Sequence, residues 1–305
     1  MVCRNLLAIY NSLSKGSVQK AQYEVWSEMK KNAIPGKLNL LLMVSVFAIT
    51  VLLLWTASHA PFSVALIAAW LFSIFNNTAF SLLHESVHGI FSKNHKVNEI
   101  AGKILAVLFP TSLTLQRIAH LGHHQRNRTD QELYDYYLPT QSRTLRNIWL
   151  YGGNLLGFYW FLVLLSNFIY LVAPWIYISK WFRRGPARYL GFEPFVKEIA
   201  QHPPLVIWSE CLLAFTFHFS LFWLLDLTIA GWLLCYWAFA LHWSALQYVN
   251  HAWSPRSIIN GAWNLKVPAL SRALALNYHY HLAHHQHPQL PWIHLPHFVD
   301  KSAKQ

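Results

Sequence analysis

Charge is scarce in this sequence. Of its 305 residues only 12% are charged, roughly half of what a soluble domain carries, and acidic side chains number 12 against 24 basic ones. Hydrophobic residues make up 54%, so an integral membrane protein is expected. A net charge of +12 would suit a nucleic acid, but the basic residues lie in clusters between long apolar runs rather than in one basic domain. They read as topology signals and contacts with anionic lipid, and no nucleic acid partner is expected. Cysteine is scarce as well. Cys3, Cys211 and Cys235 offer no CxxC pair and no disulfide framework, and the two within apolar runs read as small buried hydrophobes. The sequence also lacks a G-x-G-x-x-G, a His-Pro-Gly-Gly and any ferredoxin-like cysteine spacing. A redox function would therefore draw its electrons from outside.

What is present begins with apolar runs. The first long one starts near Leu38 behind a lysine-bearing lead, so no secretory leader is expected. Within that lead, residues 17–33 place Val18, Ala21, Val25, Trp26 and Met29 near helical spacing, which predicts a helix lying in the membrane interface. Pro35-Gly36 breaks it, dividing the chain into an interfacial segment over 1–36 and a single membrane domain over 37–305. Residues 38–56 and 62–83 are each long enough to span a bilayer, and the short stretch between them predicts a transmembrane hairpin. Residues 205–225 and 227–247 form a second one, with Asp226 at its turn. Between the hairpins, residues 100–109 are apolar but only about half a span long. The run over 150–178 has positive residues at both ends, Arg143 and Arg146 before it and Lys180, Arg183, Arg184 and Arg188 after. A re-entrant helical pair, or a short hairpin turning near Ser166-Asn167, satisfies that charge pattern better than one crossing. Lys93, Lys96, Lys103, Arg117, Arg126 and Arg128 put residues 93–146 on the cytosolic side.

Histidine is the residue in excess: there are 18. His84 and His88 stand at i, i+4. His120, His123 and His124 stand at i, i+3, i+4, and His281, His284 and His285 repeat that spacing. On helices these spacings gather imidazoles on one face. Isolated histidines such as His59, His202 and His218 read as interfacial side chains bonded to a carbonyl or a headgroup. Eight clustered ones need another reason, because imidazoles packed so closely repel when protonated, and a metal supplies it. Imidazole suits zinc, copper, iron and nickel alike. The count exceeds the three or four ligands that one zinc needs, which points to two ions; two irons sharing one O2 could attack an unactivated C–H bond. His84-Glu85-Ser86-Val87-His88 also matches H-E-x-x-H, a zinc-protease motif, but that reading leaves the other two clusters unexplained. Glu85 is instead expected to orient an imidazole N–H. Asp130, Glu132 and Asp135, just past the second cluster, read equally as such acceptors or as surface charge. Hairpin parity brings all three clusters, together with His251, to one face.

These three clusters, in order and spacing, resemble the histidine boxes of the membrane fatty acid desaturase superfamily, which includes hydroxylases, alkane monooxygenases and carotenoid ketolases. The resemblance extends to His287-Pro288-Gln289-Leu290-Pro291-Trp292 after the last box and covers residues 38–297. It implies an all-α membrane protein with a cytosolic histidine-box cap. It also implies a di-iron, O2-dependent oxidoreductase that takes a lipid acyl chain, with an external donor of the ferredoxin or cytochrome b5 type. The leading reaction is desaturation; hydroxylation or ketolation by the same site is the alternative, and a zinc-dependent membrane protease a distant one. The implied iron ligands are His84, His88, His120, His123, His124, His281, His284 and His285. A further ligand is common shortly before the last box, and His251 is the natural candidate, with His242 its competitor. Acyl-CoA members carry an asparagine four residues before that ligand; here Gln247 stands there, and Asn250 is adjacent to His251 instead.

Overall fold

The computed structural model describes residues 34–299 apart from 133, 134, 136, 138, 140 and 189–191. The interfacial helix expected over 17–33 lies outside the described residues. Four helices are long and apolar enough to cross a membrane: α1 (Gly36–His59), α2 (Phe62–Val87), α8 (Pro204–Leu224) and α9 (Ile229–His251). They form the two expected hairpins, α1 with α2 and α8 with α9. α2 and α9 run past the C-terminal ends of the apolar stretches that announced them, to Val87 and His251, so His84 sits inside the last turn of α2 and His251 ends α9. Two more helix pairs are sharply bent. α3 (His95–Leu108) and α4 (Leu113–Arg126) meet at 94°, and α5 (Arg143–Leu155) and α6 (Phe158–Val172) at 84°. After α6 come short turns and α7 (Glu193–Ile199); after α9 come α10 (Ala269–Leu274) and α11 (His281–Gln286). Among the described residues there is no strand, only one isolated bridge between Asn264 and Tyr280. The protein is an all-α membrane protein.

α2 is the central helix, packed against α1, α3 and α9. Its side chains Phe72, Leu82 and Leu83 are buried with Leu54 of α1, Trp160 of α6 and Tyr236 and Phe239 of α9. The other spans turn apolar residues outward, as lipid contact requires: Leu41 and Val44 on α1, Phe219 and Trp223 on α8, Leu233 and Trp237 on α9 are all exposed.

The bend between α5 and α6 corrects the expected turn at Ser166-Asn167. It falls at Gly157, whose φ of 80° is open to glycine and whose Cβ, if present, would lie 2.9 Å from the Ala240 carbonyl carbon on α9. Ser166 and Asn167 lie inside α6, where polar side chains serve tertiary contacts. Asn167 Oδ1 accepts from the Ser112 amide at 2.8 Å, and Glu210 of α8 accepts from Ser112 Oγ at 2.7 Å and the Thr114 amide at 2.8 Å. Together they cap the buried start of α4. The end of α3 is satisfied in the same manner. Tyr236 donates to the Leu108 carbonyl at 2.9 Å, Asn76 donates to it at 3.3 Å, and His218 bonds the Val107 carbonyl at 2.8 Å. Irregular backbone between two bent helices persists within a membrane protein only when its polar groups are met in this way. This anchoring directs α4 and its three histidines toward the ends of α2 and α9.

Candidate metal centre

Nine histidines converge where those helix ends meet α11. They fall into two groups, His84, His88, His120, His124 and His284 in one, His123, His251, His281 and His285 in the other, with the candidate ligand atoms of each group within 4.8 Å of one another. Neighbouring residues on an α-helix point about 100° apart, and the groups follow from that. In α4, His120 and His124 are one turn apart and enter the first group, while His123 turns into the second. In α11 the pairing is reversed: His281 and His285 enter the second group and His284 reaches the first. Each H-x-x-H-H box therefore serves both groups, two residues to one and one to the other.

The nitrogens approach closely. Nε2 of His88 lies 2.8 Å from that of His120, His124 is 2.9 Å from His284, His281 is 2.9 Å from His251, and His123 is 3.3 Å from His285. Neutral imidazoles have one N–H each, so facing nitrogens cannot all be donors. His84 Nε2 is buried without a partner among the described residues. Two tautomers are fixed from behind. His123 Nδ1 bonds a Glu132 oxygen at 2.7 Å and His251 Nδ1 bonds the Gly261 carbonyl at 2.8 Å. A neutral ring that donates from Nδ1 presents the Nε2 lone pair to its group. Burial holds the His88 pKa down to about 3. Burial first, then neighbouring imidazoles, holds His281, His284 and His285 well below the ordinary histidine value, so these rings are neutral at physiological pH, the form a metal binds. An arrangement of buried, neutral, convergent nitrogens fits two imidazole-bound metal ions.

The carboxylates around this site divide by role. Glu132 orients His123 and also accepts from Arg126 Nε at 3.2 Å. Asp130 pairs with Arg256, and Asp135 pairs with Arg128. Glu85, expected to hold an imidazole, accepts instead from the Trp292 amide at 3.2 Å. The Trp292 indole donates to Asn39 at 3.0 Å and its carbonyl accepts from Asn277 at 3.1 Å. The Pro291-Trp292 stretch thus clamps the end of the last box to α1 and α2. This use of Glu85 weakens the protease reading, which needs that carboxylate beside a metal-bound water. Replacing Glu132 by glutamine keeps the shape and removes the charge; a tenfold to hundredfold loss of metal affinity is expected, read by chelator competition, with folding unchanged.

The remaining sequence candidates stand outside the two groups. His242 meets Ser73 Oγ at 3.3 Å, His287 packs its ring on Phe298 at 4.9 Å just past the end of α11, and His279 belongs to neither group. Arg117 lies 2.8 Å from Glu99, and Arg126 and Arg128 are paired as above, so much of the basic cluster serves to hold the cap together. Two contributions had no signal in the sequence: the Gly261 carbonyl behind His251, and Tyr278, whose ring lies 5.3 Å from His84 and 5.2 Å from His281 and so touches both groups.

Comparison with curated proteins gives no match. The sequence model of one family, described as fatty acid desaturase, matches residues 60–305, a stretch that includes both histidine groups.

Proposed function

The chain belongs to the fatty acid desaturase family, and from that premise we propose an O2-dependent di-iron oxidoreductase that introduces a double bond into a lipid acyl chain. The observation that carries the reading is the division of all three boxes and His251 into two adjacent groups of convergent imidazoles. In this proposal His84, His88, His120, His124 and His284 hold one iron, and His123, His251, His281 and His285 the other. What iron supplies at such a site is O2 activation and hydrogen removal from an unactivated C–H bond.

The chain's own residues do the rest. Glu132 and Gly261 keep the Nδ1 protons of His123 and His251 in place, so the ligand nitrogens stay free. Phe80, Phe109 and Trp243, whose rings pack on one another beside Tyr278, supply an apolar surround that suits a hydrocarbon chain. Electrons come from an external ferredoxin or cytochrome b5-type donor. The positive residues of 93–146 favour a cytosolic site, within a single domain over 37–305 preceded by an interfacial segment.

Lipid mass spectrometry of cells expressing the protein with a reductase system tests this. A lipid species lighter by two hydrogens is expected. A gain of oxygen would assign hydroxylation or ketolation, and an unchanged lipid profile with wild-type metal content would overturn the proposal.

A further inference from the structure

Gly122 lies in the interior of α4, between His120 and His123, where glycine weakens a helix relative to alanine. Its φ is not in the left-handed region, so the backbone conformation does not require glycine. Space does. A Cβ at this position would meet the end of the Arg126 side chain, Nη2 first, with Nη1 at 2.8 Å and Cζ at 2.9 Å. Helical side chains lean toward the N-terminus, so a residue covers the one four positions before it, and Arg126 lies back over Gly122 for that reason. At about 100° per residue, Gly122 points roughly opposite His120 and His124. The guanidinium therefore sits on the back of α4, away from the first histidine group.

From that seat Arg126 reaches two carboxylates. Its Nε donates to Glu132 Oε1 at 3.2 Å, and its Nη1 stands 3.5 Å from Glu198 Oε2 on α7. Glu132 holds His123 Nδ1 through its other oxygen at 2.7 Å. Glu132 lies past the end of α4 in a bend, so no helix fixes its carboxylate and its partners must. The side chains of His123, Arg126 and Glu132 are 13%, 15% and 20% exposed, which shields their contacts from water. A guanidinium pushed off its seat would either release Glu132 or draw it away from His123. We propose that Gly122 and Arg126 are positioning residues for the second histidine group: the glycine leaves the seat open, the guanidinium held by Glu198 fixes Glu132, and Glu132 fixes the His123 ring. The inference rests on the two metal groups of the proposed function and not on its reaction.

The test uses the metal-loaded full chain in detergent, competed with a graded chelator, and reads the metal retained per chain. Gly122→Ala should lower the affinity for one of the two ions by about tenfold, the lower end of what losing a ligand's hydrogen-bond partner costs, and leave the other ion as in wild type. Arg126→Gln, whose side chain ends before the three atoms that meet the Cβ, should weaken the same ion. The double variant Gly122→Ala/Arg126→Gln should then bind no more weakly than Arg126→Gln alone, because the added methyl has nothing left to displace. Wild-type affinity in either single variant overturns the inference. A loss shared equally by both ions, as a loosened fold would give, overturns it too, and so does a double variant whose losses add. An unchanged lipid profile beside the expected metal behaviour contradicts the proposed reaction alone.

Discussion

Replacing His284 with alanine is expected to abolish turnover, by at least about a hundredfold, while the protein still folds and keeps about half of its metal. The partner of an imidazole ligand is already worth roughly 10–100-fold in metal affinity or activity, so loss of the ligand itself falls at or beyond the upper end. His284 enters the group of His84, His88, His120 and His124, whereas its neighbour His285 enters the other. The alanine variant therefore leaves His123, His251, His281 and His285 intact. Little packing is lost, because the clamp made by Trp292 with Glu85, Asn39 and Asn277 holds this end of the chain independently. Metal analysis and turnover on the same preparation check it. Wild-type metal and turnover would remove His284 from the site, and loss of both metals would show that the groups are not separable.

Asp135→Ala is expected to destabilise the protein by about 3–5 kcal/mol, the usual cost of removing one partner from a buried ion pair. The Asp135 and Arg128 side chains are both 0% exposed. Arg128 also donates to the Ser254 carbonyl at 2.8 Å, and Asp135 accepts from the Trp253 amide. The pair thus ties the chain just after α4 to the chain just after α9. Those are the elements that carry His123 and His251, both of the second group. Arg128 has a φ of 59°, a conformation that surrounding contacts must maintain. The thermal inactivation midpoint checks the prediction, and metal should be lost from the second group before the first. Restoring charge balance in Arg128→Ala/Asp135→Ala should recover part of the loss, because no unpaired charge then stays buried. A midpoint unchanged in the single variant would contradict the account.

The membrane hairpins and the histidine boxes were legible in the sequence because both depend on local regularities: a run of apolar residues and a spacing of three or four. How the boxes divide was not legible. Assigning His123 away from His120 and His124, and His284 away from His281 and His285, requires the crossing of α4 and α11, a six-residue helix whose orientation only tertiary contacts determine. The turn near Gly157 was missed for a related reason. Ser166 and Asn167 look like turn residues, yet Asn167 is needed inside α6 to hold the Ser112 amide 55 residues away in sequence. The motif around Glu85 suggests a metal-facing carboxylate, while its partner is a backbone amide 207 residues further on. Glu132 reads in sequence as either an imidazole acceptor or surface charge, and its contact with His123 Nδ1 decides between them. Long-range partners of this kind leave no periodic trace.

The most direct measurement of the central claim is the metal content of protein purified from iron-replete cells. The division of nine histidines into two groups, in a chain of the fatty acid desaturase family, predicts about two irons per chain. One zinc per chain and no iron would contradict it.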